Sequence, residues 1–382
     1  MTKTDLLVVG GGPAGAAIAT LAAQKGAKVV LLEKDKFPRD KVCGEFLSAE
    51  GCAVLQRLNM LQTIKSLGAK AMTSCLLADA KGRYVTSPLP QAALGISRAT
   101  LDTLLLAKAH AADVNVMEQT TAVAPIVERG VVKGVTTKTD AYRAKLVVAA
   151  DGRRSMLQRA LNPDAGDPLK TSPESWFGFG AHFSDTTRGL GGRIELFVFD
   201  GGYAGLGPIE GGRLDLALIA RVEALRACGN SPRRLFDERI KKNPLLASRL
   251  DDLEPLSAWR AIGPLKFGVR KPASHGALFL GDAAGTIDPF SGEGISNALV
   301  AAELAIPYVE RALHDGFLSA DAARRWTSTW RSTFAPVTRR AGMLGQLFRH
   351  PRPAAMALRL LQFPPGARML PSLVAASRTS HI

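Results

Sequence analysis

The chain has 382 residues, 46% hydrophobic and 22% charged, a balance that excludes a disordered polypeptide and allows two domains or one domain with an insertion. Its four cysteines (Cys43, Cys52, Cys75, Cys228) form no C-x-x-C pair, which argues against a disulfide framework and for a reducing, cytoplasmic setting. The net charge of +15 is uneven: from Gly316 to Ile382 there are ten arginines, one acidic residue and no lysine.

The N-terminus has one lysine before a short apolar run broken by glycines, a poor signal peptide, and no uncharged apolar stretch approaches the length of a membrane span. Instead the opening reads as a short buried strand, Leu6–Val9, then Gly10, Gly12 and Gly15 in G-x-G-x-x-G spacing, an alanine-rich helix to Gln24, and a second buried strand, Val29–Leu32, ending in Glu33. Gly10 permits the tight turn, Gly12 lets a pyrophosphate approach the backbone, and Gly15 lets helix and strand pack closely. Glu33 stands where a carboxylate accepts ribose hydroxyls. This layout suits NAD and FAD equally.

A loop, "KVCGEFLSAEG", follows, with Ser48 as a helix N-cap. Ala71–Leu94 carries two strand patterns. "KLVVAADGRRS" is a buried strand ending in Asp151-Gly152. Pro168–Phe267 holds four strand patterns with glycine turns, which predicts a mostly antiparallel sheet. On the first of them His182 shares a face with Trp176, Gly178 and Gly180, and those glycines leave room for a ligand. Another buried strand ends in Gly281-Asp282 and leads through Pro289, Gly292 and Gly294 into a helix whose positive end faces whatever lies beyond. Asp282 is placed to accept hydroxyls from a polyol, a second such site that a flavin needs and a nicotinamide does not. No second G-x-G-x-x-G is present, so NAD(P)H would bind transiently at the surface, with Arg153 or Arg154 as contacts, or a partner would supply electrons.

The motifs "GGGPAG" with Glu33, "RDKVCGEFLS", "SRATLDTLLLAKA", "ADGRRS" and "GDAAGTIDPFSGEGI", in this order, resemble the FAD-dependent monooxygenase superfamily of para-hydroxybenzoate-hydroxylase-like enzymes, closest to its geranylgeranyl-reductase-like branch. The resemblance covers roughly residues 3 to 310. It implies that Arg98 contacts FAD, that Asp282 holds the ribityl chain, that the glycines after Pro289 face the pyrimidine end of the flavin, and that the loop with Cys43 and Gly44 runs along the ring. The full FAD-binding set expected is Gly10, Gly12, Pro13, Ala14, Gly15, Glu33, Lys34, Arg39, Cys43, Gly44, Arg98, Asp151, Gly152, Gly281, Asp282, Pro289, Gly292, Gly294 and Ile295.

The fold expected is a doubly wound α/β FAD-binding domain of the glutathione-reductase-like kind (residues 1–70, 95–165 and 268–315), an inserted antiparallel sheet domain over the flavin (71–94 and 166–267) and a C-terminal helical region (316–382). The candidates for pocket chemistry are Cys43, His182 and Tyr203, with Arg193 and Glu195 beside them. No metal site is expected. Geranylgeranyl reductases and flavin halogenases carry bulky residues in the segment that reads "GYAGLGPIE" here. Gly205 and Gly207 stand in their place, and a wider channel favours a monooxygenase using NAD(P)H and oxygen on a hydrophobic or aromatic molecule. The alternative is a carbon–carbon double-bond reductase, and a flavin-binding electron carrier without its own substrate is third. The arginine-rich C-terminal region, including Arg349 and Arg352, is expected to dock an acidic carrier protein or a membrane surface rather than nucleic acid.

Overall fold

In the computed structural model, residues 2–163, 170–172, 174–185, 190–250 and 253–362 are described. The strand Thr2–Val9 pairs in parallel with Val29–Leu32 on one side and Ala141–Ala149 on the other. Ala277–Phe279 joins the far edge of Ala141–Ala149 in parallel, and Asn115–Met117 closes the opposite edge. An antiparallel hairpin, Ala124–Glu128 with Val131–Thr136, hangs from this sheet. Leu6, Leu7 and Val8 are fully buried because helices cover the sheet, the condition under which parallel strands become continuous apolar runs. Helix Pro13–Gln24 packs on the long helix Gly294–Asp315 and on Arg98–His110.

The second sheet runs in the order Arg260–Leu265, Trp176–Ser184, Arg213–Arg221, Gly202–Ile209, Arg193–Phe199, Lys70–Ala78, Tyr84–Gly95 and Phe46–Leu47. All its pairs are antiparallel except Arg193–Phe199 with Lys70–Ala78. Phe46–Leu47, within the segment assigned from sequence to the FAD-binding domain, is its edge strand, so the loop before it passes from one sheet to the other. Strand alternation splits the apolar residues. Phe179, Phe183, Phe197 and Leu216 face a core closed by short helices between Val222 and Leu250, while Ile194, Leu196, Tyr203 and Ile219 face the opposite way. Those helices were not read from the sequence, because their apolar spacing is too short to display a helical period.

The chain ends, among the described residues, in helices Ala320–Phe348 and Pro351–Leu361. Trp326, Trp330, Phe334 and Phe348 lie on the buried face, and Phe363 falls outside the described residues. Arg349 departs from expectation. It is 3% exposed, ion-paired with Asp288, and its guanidinium lies 4.7 Å and 4.9 Å from the rings of Trp176 and Phe267. It locks the C-terminal helices onto the sheet rather than facing a partner.

Candidate functional site

Both sheets and the loop between them enclose one cavity of about 700 Å³. At one end lies Gly12, the N-cap of helix Pro13–Gln24, in extended backbone. Gly10, at φ +103°, sits so close to the Ala150 carbonyl that only glycine fits, and any Cβ on Gly15 would overlap the Gly10 carbonyl oxygen. At Gly12 the space is open and cationic. A Cβ there would lie 3.9 Å from Arg39 Nη2 and 4.0 Å from Arg98 Nη2. Buried Asp102 fixes both arginines, accepting from Arg98 Nε at 2.9 Å and Nη2 at 2.6 Å and from Arg39 Nη1 at 2.8 Å. Burial works against the charge on Arg98, yet Asp102 outweighs it and holds the guanidinium's pKa above its ordinary value. Arg39 Nε and Nη2 are buried without hydrogen-bond partners. Two fixed guanidinium groups, orphan donors and a bare helix start fit a pyrophosphate.

Glu33 accepts from the Gly11 N–H at 2.6 Å and the Asp35 N–H at 2.9 Å, and so braces the glycine turn. It does not line the cavity, whereas its neighbour Lys34 does. Pro13, Ala14, Cys43, Gly44, Arg98, Asp151, Gly152, Gly281, Asp282, Pro289, Gly292, Gly294 and Ile295 all line it. Gly10, Gly15 and Arg39 stand behind the wall. Asp151 spends one oxygen on the Met156 N–H at 2.8 Å, and its other oxygen is buried without a partner. Burial raises the carboxyl of Asp282, and Arg98, Lys41, Arg270 and Arg153 pull it back down. Helix Gly294–Asp315 begins at the cavity wall and directs its positive end inward.

Among the pocket candidates, Tyr203 lines the cavity and donates to Asp288 Oδ1 at 2.7 Å, with its ring edge on Phe290 at 5.2 Å. Burial raises its pKa, so it is a neutral wall residue. Burial pushes the Cys43 thiol up to about 11, with Glu45 adding to the effect and Arg98 opposing it, so no thiolate stands there at neutral pH. Arg193 and Glu195 lie away from the cavity: Arg193 Nη2 at 2.7 Å and Arg249 Nε at 3.1 Å hold the fully buried Glu195 on the alternate strand face. Arg153 and Arg154 line the cavity and donate to the carbonyls of Pro264 at 2.9 Å and Gly263 at 2.7 Å. Of the two glycines taken to widen the channel, Gly205 faces the cavity. Gly207 does not, and a Cβ there would meet Ile194 at 2.9 Å and Met72 at 3.1 Å. The room left by Gly178 and Gly180 is shared with the loop between the two sheets, since a Cβ on either would meet Val42 Cγ1, at 3.5 Å and 3.8 Å.

Four residues of the site were not picked out from the sequence. Asp102 is one. Lys41 lines the cavity, and burial with the charges of Arg39 and Arg98 pushes its pKa down to about 8. The other two are Glu45 and Asp215, which meet His182. Its Nε2 lies 3.0 Å from Glu45 Oε2 and 3.6 Å from Asp215 Oδ1, and all three side chains are buried. Glu45 lines the cavity and His182 stands one layer behind. This is the one gathering of His, Cys and acidic donors among the described residues, and the direct His182–Glu45 contact makes it a hydrogen-bonded set.

A phosphate cradle at a strand–helix turn, a second acidic strand end and a covering antiparallel sheet define a flavin-dinucleotide-binding protein. The chain belongs to the FAD binding domain family, which matches residues 3–327, and it is an FAD-dependent oxidoreductase. It is 29% identical over 346 residues to the menaquinone reductase of Mycolicibacterium smegmatis, covering 80% of this chain and 76% of that protein. It is 27% identical over 349 residues to digeranylgeranylglycerophospholipid reductase 1 of Methanococcoides burtonii, covering 86% and 80%. The solved flavin-dependent brominase Bmp2 superposes with a TM-score of 0.82 at 17% identity, covering 98% of this chain and 93% of that one, a likeness of fold alone.

Proposed function

We propose that this protein reduces carbon–carbon double bonds in an extended apolar, isoprenoid-like substrate, with NAD(P)H as the electron donor. The carrying observation is the wall that the second sheet contributes to the cavity: Ile194, Leu196, Ile219, Ile262 and Leu265 give it a mainly apolar surface, with Tyr203 and Arg260 as its polar members. FAD, when bound, supplies the two-electron chemistry. Arg39, Arg98 and the Gly12 helix start would hold its phosphates, and Asp282 its polyol hydroxyls. Lys41 and the helix start at Gly294 would stabilise negative charge. The relatives named for reduction of a menaquinone and of a digeranylgeranylglycerophospholipid support an isoprenoid substrate. With Gly207 covered by Ile194 and Met72, half of the case for a widened channel falls away.

Oxygen-atom transfer to an aromatic substrate is the second possibility, favoured by Gly205, whose bare backbone faces the cavity. Oxygen separates the two. Turnover of a polyprenyl substrate with NAD(P)H should continue under strict anaerobiosis, and a strict oxygen requirement would transfer the assignment to oxygenation.

Such a substrate is held in a lipid layer, and we propose an anionic membrane surface as its source. Met343, Met356 and Leu360 are 74%, 66% and 65% exposed on the last two described helices. Arg339, Arg352 and Arg359 are exposed beside them in sequence, and no acidic residue occurs after Asp321. Exposed apolar side chains and exposed arginines on the same two helices suit an anionic bilayer better than a carrier protein. No helix among the described residues is long and apolar enough to cross a membrane.

A further inference from the structure

Glu45, His182 and Asp215 are held together by three different parts of the chain. Glu45 follows Cys43 and Gly44 on the loop between the sheets, and it takes a left-handed backbone, φ +46°, which a non-glycine residue adopts only when its surroundings enforce it. Two contacts do so: Glu45 Oε1 accepts from the Arg98 N–H at 2.8 Å, at the start of helix Arg98–His110, and Oε2 faces His182 Nε2 at 3.0 Å. His182 and Asp215 are direct partners across adjacent antiparallel strands. Gly178 and Gly180, on the same face as His182, let the loop approach the sheet closely enough for these contacts.

One nitrogen, His182 Nε2, therefore faces two carboxyl groups, and it can carry only one proton. Glu45 is the nearer acceptor, at 3.0 Å, and its other oxygen accepts from the Arg98 N–H at the helix start. Asp215 lies 3.6 Å from Nε2, beyond a good hydrogen bond, and its Oδ2 is buried without a partner. A second ionised carboxylate in that position would be uncompensated, and a neutral carboxylic acid would not. Burial and the Glu45 charge raise the Asp215 carboxyl well above its ordinary value. The other charged groups facing the set are Arg260 and Asp40, paired with each other at 3.0 Å and themselves lining the cavity. Arg260 draws Asp215 back down and Asp40 adds to the rise.

We propose that Glu45, His182 and Asp215 form a buried proton store for the cavity, in which Glu45 delivers the proton and His182 and Asp215 are positioning residues that reload it. This rests on the proposed reduction, which adds two electrons and two protons to each double bond. NAD(P)H supplies both electrons and one proton, together a hydride equivalent, and the store provides the other proton. In the loaded state Asp215 is a neutral acid, neutral His182 carries its hydrogen on Nδ1, and Glu45 is ionised. As the 3.6 Å separation closes, the Asp215 proton moves to the free lone pair of Nε2, and the imidazolium so formed passes it from Nε2 to Glu45 Oε2. Only O–H and N–H bonds change, the total charge of the set is conserved, and Glu45 is left as a neutral acid on the cavity wall. After donation, water restores the proton. A carboxylic acid kept neutral at pH 7 by its surroundings is a known device for such a step.

The test is infrared spectroscopy of the FAD-loaded protein at pH 7, comparing wild type with Asp215→Asn. One carbonyl stretch of a neutral carboxylic acid should be present in the wild type and missing in the variant. If the two spectra agree in that region, Asp215 is ionised and there is no store. His182→Gln, with its melting temperature checked, should lower kcat about 10²-fold with KM little changed and introduce a solvent deuterium isotope effect. An unchanged kcat without that isotope effect would overturn the relay. The infrared result does not depend on turnover. A protein that shows the band but fails to reduce a double bond refutes the proposed reaction. One that reduces at the wild-type rate as Asp215→Asn refutes the store.

Discussion

Gly12→Val separates binding of the dinucleotide from stability of the fold. Gly12 has φ −74° and ψ −175°, extended backbone open to any residue, and the nearest atoms to an added Cβ, Arg39 Nη2 and Arg98 Nη2, lie 3.9 Å and 4.0 Å away, ordinary contact distances. The chain should therefore fold. The added methyl groups would occupy the space in front of Arg39 Nη2 and Arg98 Nη2, where the phosphates would lie. A charge-assisted hydrogen bond contributes about 1.5–3 kcal/mol, so losing two should weaken FAD binding by about 3–6 kcal/mol. That corresponds to about 10²–10⁴-fold in Kd. Quenching of flavin fluorescence, titrated into apo protein, measures the affinity, and a melt of the apo protein measures the fold. Gly15→Val is the contrast, because it places atoms on the Gly10 carbonyl oxygen and should lower the apo melting temperature itself. Wild-type FAD affinity in Gly12→Val would refute the phosphate cradle.

Arg349→Glu should destabilise the protein by about 3–5 kcal/mol at any salt concentration, because it sets a second buried carboxylate against Asp288, and a melt will show it. Met356→Asp with Leu360→Asp should leave stability intact but abolish co-sedimentation with anionic lipid vesicles, and unchanged sedimentation would exclude that surface. Because the folded pKa of Asp215 is raised, the native state binds its proton more tightly than the unfolded state does, where the value is about 3.9. This contribution is fully present below about pH 4 and is lost as pH rises through the folded value, so urea unfolding should show Asp215→Asn gaining on wild type towards high pH, by at most about 1.4 kcal/mol per pH unit. Cys43→Ser should keep FAD and most of its turnover, since a thiol pushed up to about 11 supplies no nucleophile; complete loss of turnover with flavin retained would point to thiol chemistry.

The glycine turn and the acidic strand ends at the cavity were legible in the sequence because each is local. Gly10, Gly12 and Gly15 lie on one turn, and Asp151 and Asp282 each end a strand whose apolar run announces it. The Glu45–His182–Asp215 set was not, because it is assembled by strand pairing. His182 meets Asp215 through antiparallel register and Glu45 across 137 positions, a juxtaposition no local spacing records. Facing was also decided by tertiary packing. Gly205 and Gly207 share a strand face by alternation, yet Met72 and Ile194 close over only the second of them. Arg349 reads in composition as one surface cation among ten arginines, and only the docking of the last helices shows its burial against Asp288.

The most direct measurement of the central claim is the isotopic composition of the product formed in heavy water under heavy-oxygen gas, with NAD(P)H and a polyprenyl substrate. Reduction at this cavity, with its proton supplied through Glu45, should give a product that carries solvent deuterium across the former double bond and no heavy oxygen. One heavy oxygen atom per product, with the double bond retained, would contradict it.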